Sequence, residues 1–454
     1  MIPQTPAPAT PSAARSSVTR HPAASSAGAR RRSVSRPTVE SELADQFRRV
    51  RDQTVALCQP LEDEDYVVQS MPDASPAKWH LAHTSWFFEE FVLRRAVEGY
   101  RPYDERFGYL FNSYYNSVGA MHARPDRGLL SRPTVAEVLA YRTHVDEHMQ
   151  TLLASAAAAP ADVVTLGLHH EQQHQELLLT DIKHLFWCNP LQPVYEACEE
   201  RTWRHAPPLE FIKLPGGLVE IGHGGADFCF DNEQPRHQLY LAPFQLANRP
   251  VSNAEFLEFV RDGAYSQPQL WLSEGWAVVQ REQWRRPLYW AESLDHEFTL
   301  SGPRAINPHS PACHLSYFEA DAFARWAHAR LPGEAEWEIA ACTAAPELQG
   351  SFLEHGNLHP VPAASSVGVQ SAQPLAQMFG DVWEWTQSAY APYPGFKPLA
   401  GALGEYNGKF MVSQLVLRGG SCATPAAHIR PSYRNFFPPA ARWQFSGLRL
   451  ARDA

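Results

Sequence analysis

At 454 residues the chain is too long for one ordinary core, and 44% hydrophobic with 19% charged residues is a normal globular balance, so two folded domains are expected. A formal net charge of -10 leaves no electrostatic footprint for nucleic acid, and no uninterrupted apolar run approaches the roughly 20 residues of a membrane helix. Cys58, Cys188, Cys198, Cys229, Cys313, Cys342 and Cys422 are odd in number and widely spaced, with no C-x-x-C. They suggest neither a disulfide framework nor a thiolate zinc site, and a reducing cytoplasm fits them best.

Residues 1–39 are rich in Ala, Pro, Ser and Arg, a composition that cannot bury enough apolar surface to fold, so a disordered tail is expected. Arg-rich, Ser-rich and acid-poor is also how an organelle transit peptide reads, while the lack of an apolar h-region argues against secretion. Residues 40–195 read as helices, with amphipathic segments over about 41–58, 75–98, 133–153 and 161–187. In the third, Val135, Val138, Leu139, Val145, Met149 and Leu152 recur at helical spacing after a Pro133-Thr134 start. Four such segments predict a bundle whose interior is able to carry a metal site. After Pro190 the texture changes to short apolar pieces broken by Gly and Pro, with helix propensity mainly at 252–261 and 316–329. An irregular mixed domain is expected over 207–452, and the fold class is α+β.

HEQQH, residues 170–174, sets His170 and His174 four apart on one helix face, where both imidazoles reach one ion. With Glu171 as water activator, the pattern also fits a zinc hydrolase. The H-x-x-G-x-x-H continuation is absent, since Leu177 stands where the glycine should, which leaves only Glu196 or Glu199 as a distant third zinc ligand. By spacing alone, two surface histidines at i and i+4 are the commoner explanation. His80, His144, His148, His169 and His184 have no motif support and are expected to pack or face solvent.

NRPVSNAEF, RLPGEAEWE, GDVWEW, LRGGS and SGLRLA, in this order, resemble the sulfatase-modifying-factor fold of the formylglycine-generating enzymes, a relative of the C-type lectin fold. That enzyme's chemistry needs a cysteine pair after the RGGS block, and only Cys422 stands there, so the resemblance implies the scaffold and argues against formylglycine formation. WHLAH (residues 79–83) joined to HEQQH resembles the DinB-like family. The combination resembles the ergothioneine-biosynthesis sulfoxide synthases, non-haem iron enzymes, over residues 40–452. That resemblance implies Fe(II) held by His83, His170 and His174, with hercynine, L-cysteine and O2 as substrates.

In FNSYYNSVGAMHARPDRGLLSRPT (111–134), Tyr114 and Tyr115 resemble the tyrosine pair of the cysteine-using branch, one phenol of which delivers a proton or hydrogen atom to oxygen. Arg124 and Arg127 match arginines that hold the thiol substrate's carboxylate, a task suited to a guanidinium fork. Gln173 and Asn435 match residues contacting the histidine-derived substrate. Phe436 stands where the gamma-glutamylcysteine branch has a tryptophan, whose face would attract a trimethylammonium group. Phe437 and Ala441 replace that branch's aspartate and arginine, so free L-cysteine is the expected sulfur donor. Rival readings are 5-histidylcysteine sulfoxide formation of the ovothiol type, a selenium-carbon bond-forming relative, the zinc hydrolase and a lectin-like binding module. Ovothiol-type proteins usually append a methyltransferase domain, whereas this sequence ends at Ala454 just after RLARD, which favours the hercynine reading. The sequence carries no signal for oligomeric state.

Overall fold

Helices α1 (Val39–Ala56), α2 (Ala77–Phe88), α3 (Val135–Ala154) and α4 (Ala161–Cys188) each begin within two residues of the four amphipathic segments, and all but α2 also end within two residues of them. The computed structural model describes residues 39–155, 159–197, 205–344, 350–363 and 375–454. The expected tail, Cys198 and Glu199 lie outside the described residues.

Thr134 caps α3 in a capping box: Glu137 N donates to its hydroxyl, and its own backbone N donates to the Glu137 carboxylate at 2.7 Å. The buried stripe of α3 is Val138, Tyr141, Val145, Met149 and Leu152. Leu139, expected on that stripe, is exposed, because one residue further on is about 100° round the helix. All twelve residues of α2 are buried, so this helix is the centre of the bundle and not an amphipathic surface helix. It runs on through a π-helical turn, Glu89–Leu93, to Ala96. In that turn the Glu89 carboxylate accepts from the Tyr100 and Tyr141 hydroxyls, each at 2.8 Å.

The second half carries strands and short helices, which makes the class α+β. Strands Trp383–Ala389, Leu415–Arg418 and Asn435–Phe437 pair antiparallel in that order, and Ser446–Gly447 pairs parallel with the first. Three of the sequence signatures meet at one buried ion pair: Arg449 of SGLRLA binds Glu384 of GDVWEW at 2.8 Å, and Trp337 of RLPGEAEWE donates its indole N–H to the same carboxylate at 2.7 Å. Helices Asn253–Arg261 and Tyr317–Trp326 lie where propensity placed them. Ser273–Glu282 and Glu334–Ala344 were not expected. The first buries only Gly275, Val278 and Val279, too few positions to print a helical period on the sequence.

The halves are joined at Glu176 of α4. Its carboxylate accepts from Trp383 Nε1 (2.8 Å), Ser421 Oγ (2.5 Å) and Thr424 Oγ1 (2.6 Å), all from the C-terminal half.

Candidate active site

His170, Gln173, His174, Leu177 and Asp181 form one stripe along α4, and His80 lies on the facing side of α2. Between the helices, one ligand atom each of His83, His170 and His174 lies within 4.8 Å of the others, the one such metal-ligand cluster among the described residues. His83 Nε2 and His170 Nε2 are 3.2 Å apart. Two nitrogens bound side by side at the usual distance to one transition metal would be separated by roughly 3 Å. His83 Nδ1–H donates to the Phe111 carbonyl at 2.6 Å, which leaves its Nε2 lone pair facing the cluster. Burial pushes His170 down to about 3, and burial with neighbouring imidazoles pushes His83 and His174 well below the ordinary histidine value. Three neutral, convergent imidazoles are a donor set that fits a divalent transition metal.

Beside the cluster lies a cavity of about 430 Å³ bounded by both halves of the chain. Arg127 forms part of its wall, stacked on the Trp79 ring at 3.3 Å from the centroid. Its nitrogens donate to Ser75 Oγ (2.9 Å) and Ser113 Oγ (3.2 Å), and its Nε has no partner. At 3% exposure it is a buried cation in no ion pair among the described residues, beside a space able to accept an anion. Arg124 is exposed at the cavity's edge and bonds the Asp73 carbonyl. Tyr114 lines the cavity. Tyr115 stands behind it, packed on Trp86 and Phe91 at centroid distances of 5.6 and 5.0 Å, with a buried hydroxyl that has no partner. Burial raises both phenols above the ordinary tyrosine range, so both carry their protons at neutral pH.

The opposite wall comes from the strand Asn435–Phe437, whose three residues all contribute to the cavity lining. Phe436 stacks on Tyr390 at 4.0 Å, a rigid aromatic surface. Ala441 is buried and does not line the cavity, so of Phe437 and Ala441, the two positions on which the expectation of free L-cysteine rests, only Phe437 does.

Residues 198–454 match the sulfatase-modifying factor enzyme 1-like domain, and residues 46–178 match the DinB superfamily. The hercynine oxygenase of Mycobacterium tuberculosis is 33% identical across 92% of this chain and 100% of its own length. The hercynine oxygenase of Mycolicibacterium smegmatis is 31% identical across 90% and 98%. The chain belongs to the hercynine oxygenase family. The ergothioneine biosynthesis protein 1 of Schizosaccharomyces pombe is 28% identical over 50% of this chain and 28% of its own.

The structure also corrects the zinc-hydrolase reading. Glu171 points away from the imidazoles into the bundle, where it accepts from Thr54 Oγ1 (2.6 Å), Arg142 (2.5 Å) and Arg51 (2.9 Å). A carboxylate so engaged, one step round the helix from His170, activates no water at the cluster. Glu196 is exposed and lies in no cluster with these histidines.

Several members of the site gave no sequence signal. Gln173 is held at both ends in this hercynine oxygenase family member: its Nε2 donates to Tyr433 Oη at 2.6 Å, and the Tyr406 hydroxyl donates to its Oε1. Tyr406, whose ring is 5.5 Å from that of His170, and Tyr433 both line the cavity. They are more than 200 residues from α4 in sequence, so only the fold reveals them. His80 and His169 are not idle packing: His80 contacts His174, and His169 Nδ1 lies 2.9 Å from His428 Nδ1. His184 bonds Ser70 Oγ at 2.7 Å, and the partly buried His144 and His148 rings pack 4.4 Å apart.

Proposed function

We propose that this metal-dependent enzyme is a non-haem Fe(II), O2-dependent sulfoxide synthase that joins the sulfur of L-cysteine to imidazole C2 of hercynine, giving hercynylcysteine sulfoxide. The balance closes without another reductant. The C–S bond replaces an S–H and a C–H bond, one oxygen atom of O2 goes to sulfur, and the other leaves as water. The observation that carries this reading is the three-histidine cluster opening onto a cavity walled by the unpaired Arg127.

Fe(II) at His83, His170 and His174 would supply O2 activation and a site for the thiolate and the imidazole. Arg127 holds the cysteine carboxylate, a group that relieves its own uncompensated burial, and Arg124 assists from the mouth. Gln173 and Asn435 orient the hercynine head group. The Phe436–Tyr390 stack offers the trimethylammonium group an aromatic face. Tyr114, at the cavity surface with its proton retained, is the phenol that gives a proton to the oxygen-derived product, and Tyr115 supports it from behind. Phe437 denies a longer acidic thiol its partner.

Oxygen-electrode measurement on the Fe(II)-loaded chain tests the assignment. One O2 is expected per sulfoxide formed, only when both hercynine and L-cysteine are present. Equal turnover with Zn(II), or product without O2, would count against it.

A further inference from the structure

We propose that His80 and Asp181 form an arm that fixes the tautomer and orientation of His174, a positioning role for two residues outside the three-histidine cluster. The inference deepens the reading above and rests on a metal ion at His83, His170 and His174.

Asp181 lies seven residues beyond His174 on α4, close to two helical turns, and so falls on the same stripe. Its Oδ2 accepts from Ser75 N at 2.8 Å and stands 3.0 Å from His80 Nε2. A carboxylate oxygen accepts, so His80 Nε2 carries the proton, and in the neutral ring His80 Nδ1 presents a lone pair. That Nδ1 lies 2.9 Å from His174 Nδ1. His174 therefore donates from Nδ1, and its remaining nitrogen, Nε2, has the free lone pair a metal requires. The Phe111 carbonyl imposes the same tautomer on His83. His170 Nδ1, by contrast, is buried without a partner.

His80, Asp181 and His174 are all under 9% exposed, and all three line the cavity. The arm is also tied to the cavity wall, because Ser75, which anchors Asp181 through its backbone, accepts from Arg127 through its hydroxyl at 2.9 Å. Partners that hold a ligating histidine by its other nitrogen typically govern metal affinity by about 10–100-fold.

The test is anaerobic Fe(II) titration of the full, metal-stripped chain against a competing chelator. Asp181→Ala and His80→Leu are expected to weaken Fe(II) binding about 10–100-fold. His80→Asn, whose side-chain oxygen stands close to where His80 Nδ1 accepts, is expected to retain most of the affinity, with the metal-free melting temperatures of His80→Asn and His80→Leu close to each other. A purely structural role would move melting temperature and leave no difference in Fe(II) affinity between His80→Asn and His80→Leu. Fe(II) affinity unchanged in Asp181→Ala and His80→Leu, or equally weakened in His80→Asn and His80→Leu, would overturn the arm. If the unaltered chain takes up no Fe(II), the arm falls together with the metal reading, and the two failures are told apart by that first titration.

Discussion

Arg127 and Glu171 are both buried charges, yet only one of them is compensated. Arg127 has hydroxyl partners and an indole face but no carboxylate in an ion pair, so its energetic debt is settled when an anionic substrate arrives. Arg127→Ala is expected to raise the KM for L-cysteine by about 30-fold or more, equivalent to about 2 kcal/mol, and to leave the KM for hercynine within a few-fold. Steady-state kinetics with each substrate varied in turn checks this. Phe437→Asp is expected to raise kcat/KM for gamma-glutamylcysteine relative to L-cysteine, and no change in that ratio would place the selectivity elsewhere. Glu171 is the opposite case. Burial alone would raise its pKa, but Arg142, Arg51 and Thr54 outweigh burial and hold it at about 2. Because the folded value lies below the ordinary value of 4.5, its contribution to stability is complete above about 4.5 and is lost as pH falls towards about 2. Glu171→Gln should therefore cost roughly 3 kcal/mol in urea melts near neutral pH, with the gap to the unaltered chain closing over that acid window. Intact stability with abolished turnover would restore a catalytic glutamate.

At the scale of elements, the site depends on how closely α2 and α4 approach. Gly167, one turn before His170, makes the approach possible: a Cβ there would stand 2.6 Å from Phe88 Cε1 and 2.8 Å from Phe87 Cε1. Both rings are fully buried, and Phe87 packs on His170 at 4.8 Å. Helix propensity alone favours alanine over glycine by about 1 kcal/mol. Overpacking predicts the reverse, a loss of about 1–3 kcal/mol with weakened metal binding, as the His83 helix is pushed from the His170 helix. Thermal melts and Fe(II) titration of Gly167→Ala decide between them. The α-helical half was legible because helices with one buried face print their period on the sequence, and Thr134 marked the start of α3. Leu139 was misread since hydrophobicity does not tell which face is covered. The helices Ser273–Glu282 and Glu334–Ala344 escaped because so little of the first is buried and because the second falls within the RLPGEAEWE signature, read only for its resemblance.

Across the whole molecule, the site is a product of both halves: α2 and α4 bring the imidazoles, and the strand Asn435–Phe437 with Tyr406 and Tyr433 closes the cavity. Motif resemblance singled out His83, His170, His174 and Arg127, which the fold brings to one cluster and the cavity beside it, since each stands in a short quotable stretch. Tyr406, Tyr433 and the link of His80 to Asp181 were not, since each depends on contacts between residues about a hundred or more apart. Glu176 ties the halves through three hydrogen bonds from the C-terminal half. Glu176→Leu is expected to strand these donors and lower stability by about 3 kcal/mol or more, read as a shift in the urea midpoint. Among the described residues, no helix is long and apolar enough to cross a membrane.

Coupling of L-cysteine to hercynine at the expense of O2 is the function this cavity supports best. Its most direct test is mass spectrometry of an aerobic reaction of the Fe(II)-loaded chain with L-cysteine and equal hercynine and histidine, beside an anaerobic control. Hercynylcysteine sulfoxide in the aerobic sample alone is the predicted result. A 5-histidylcysteine sulfoxide from histidine, or no product with Fe(II) demonstrably bound, would contradict it.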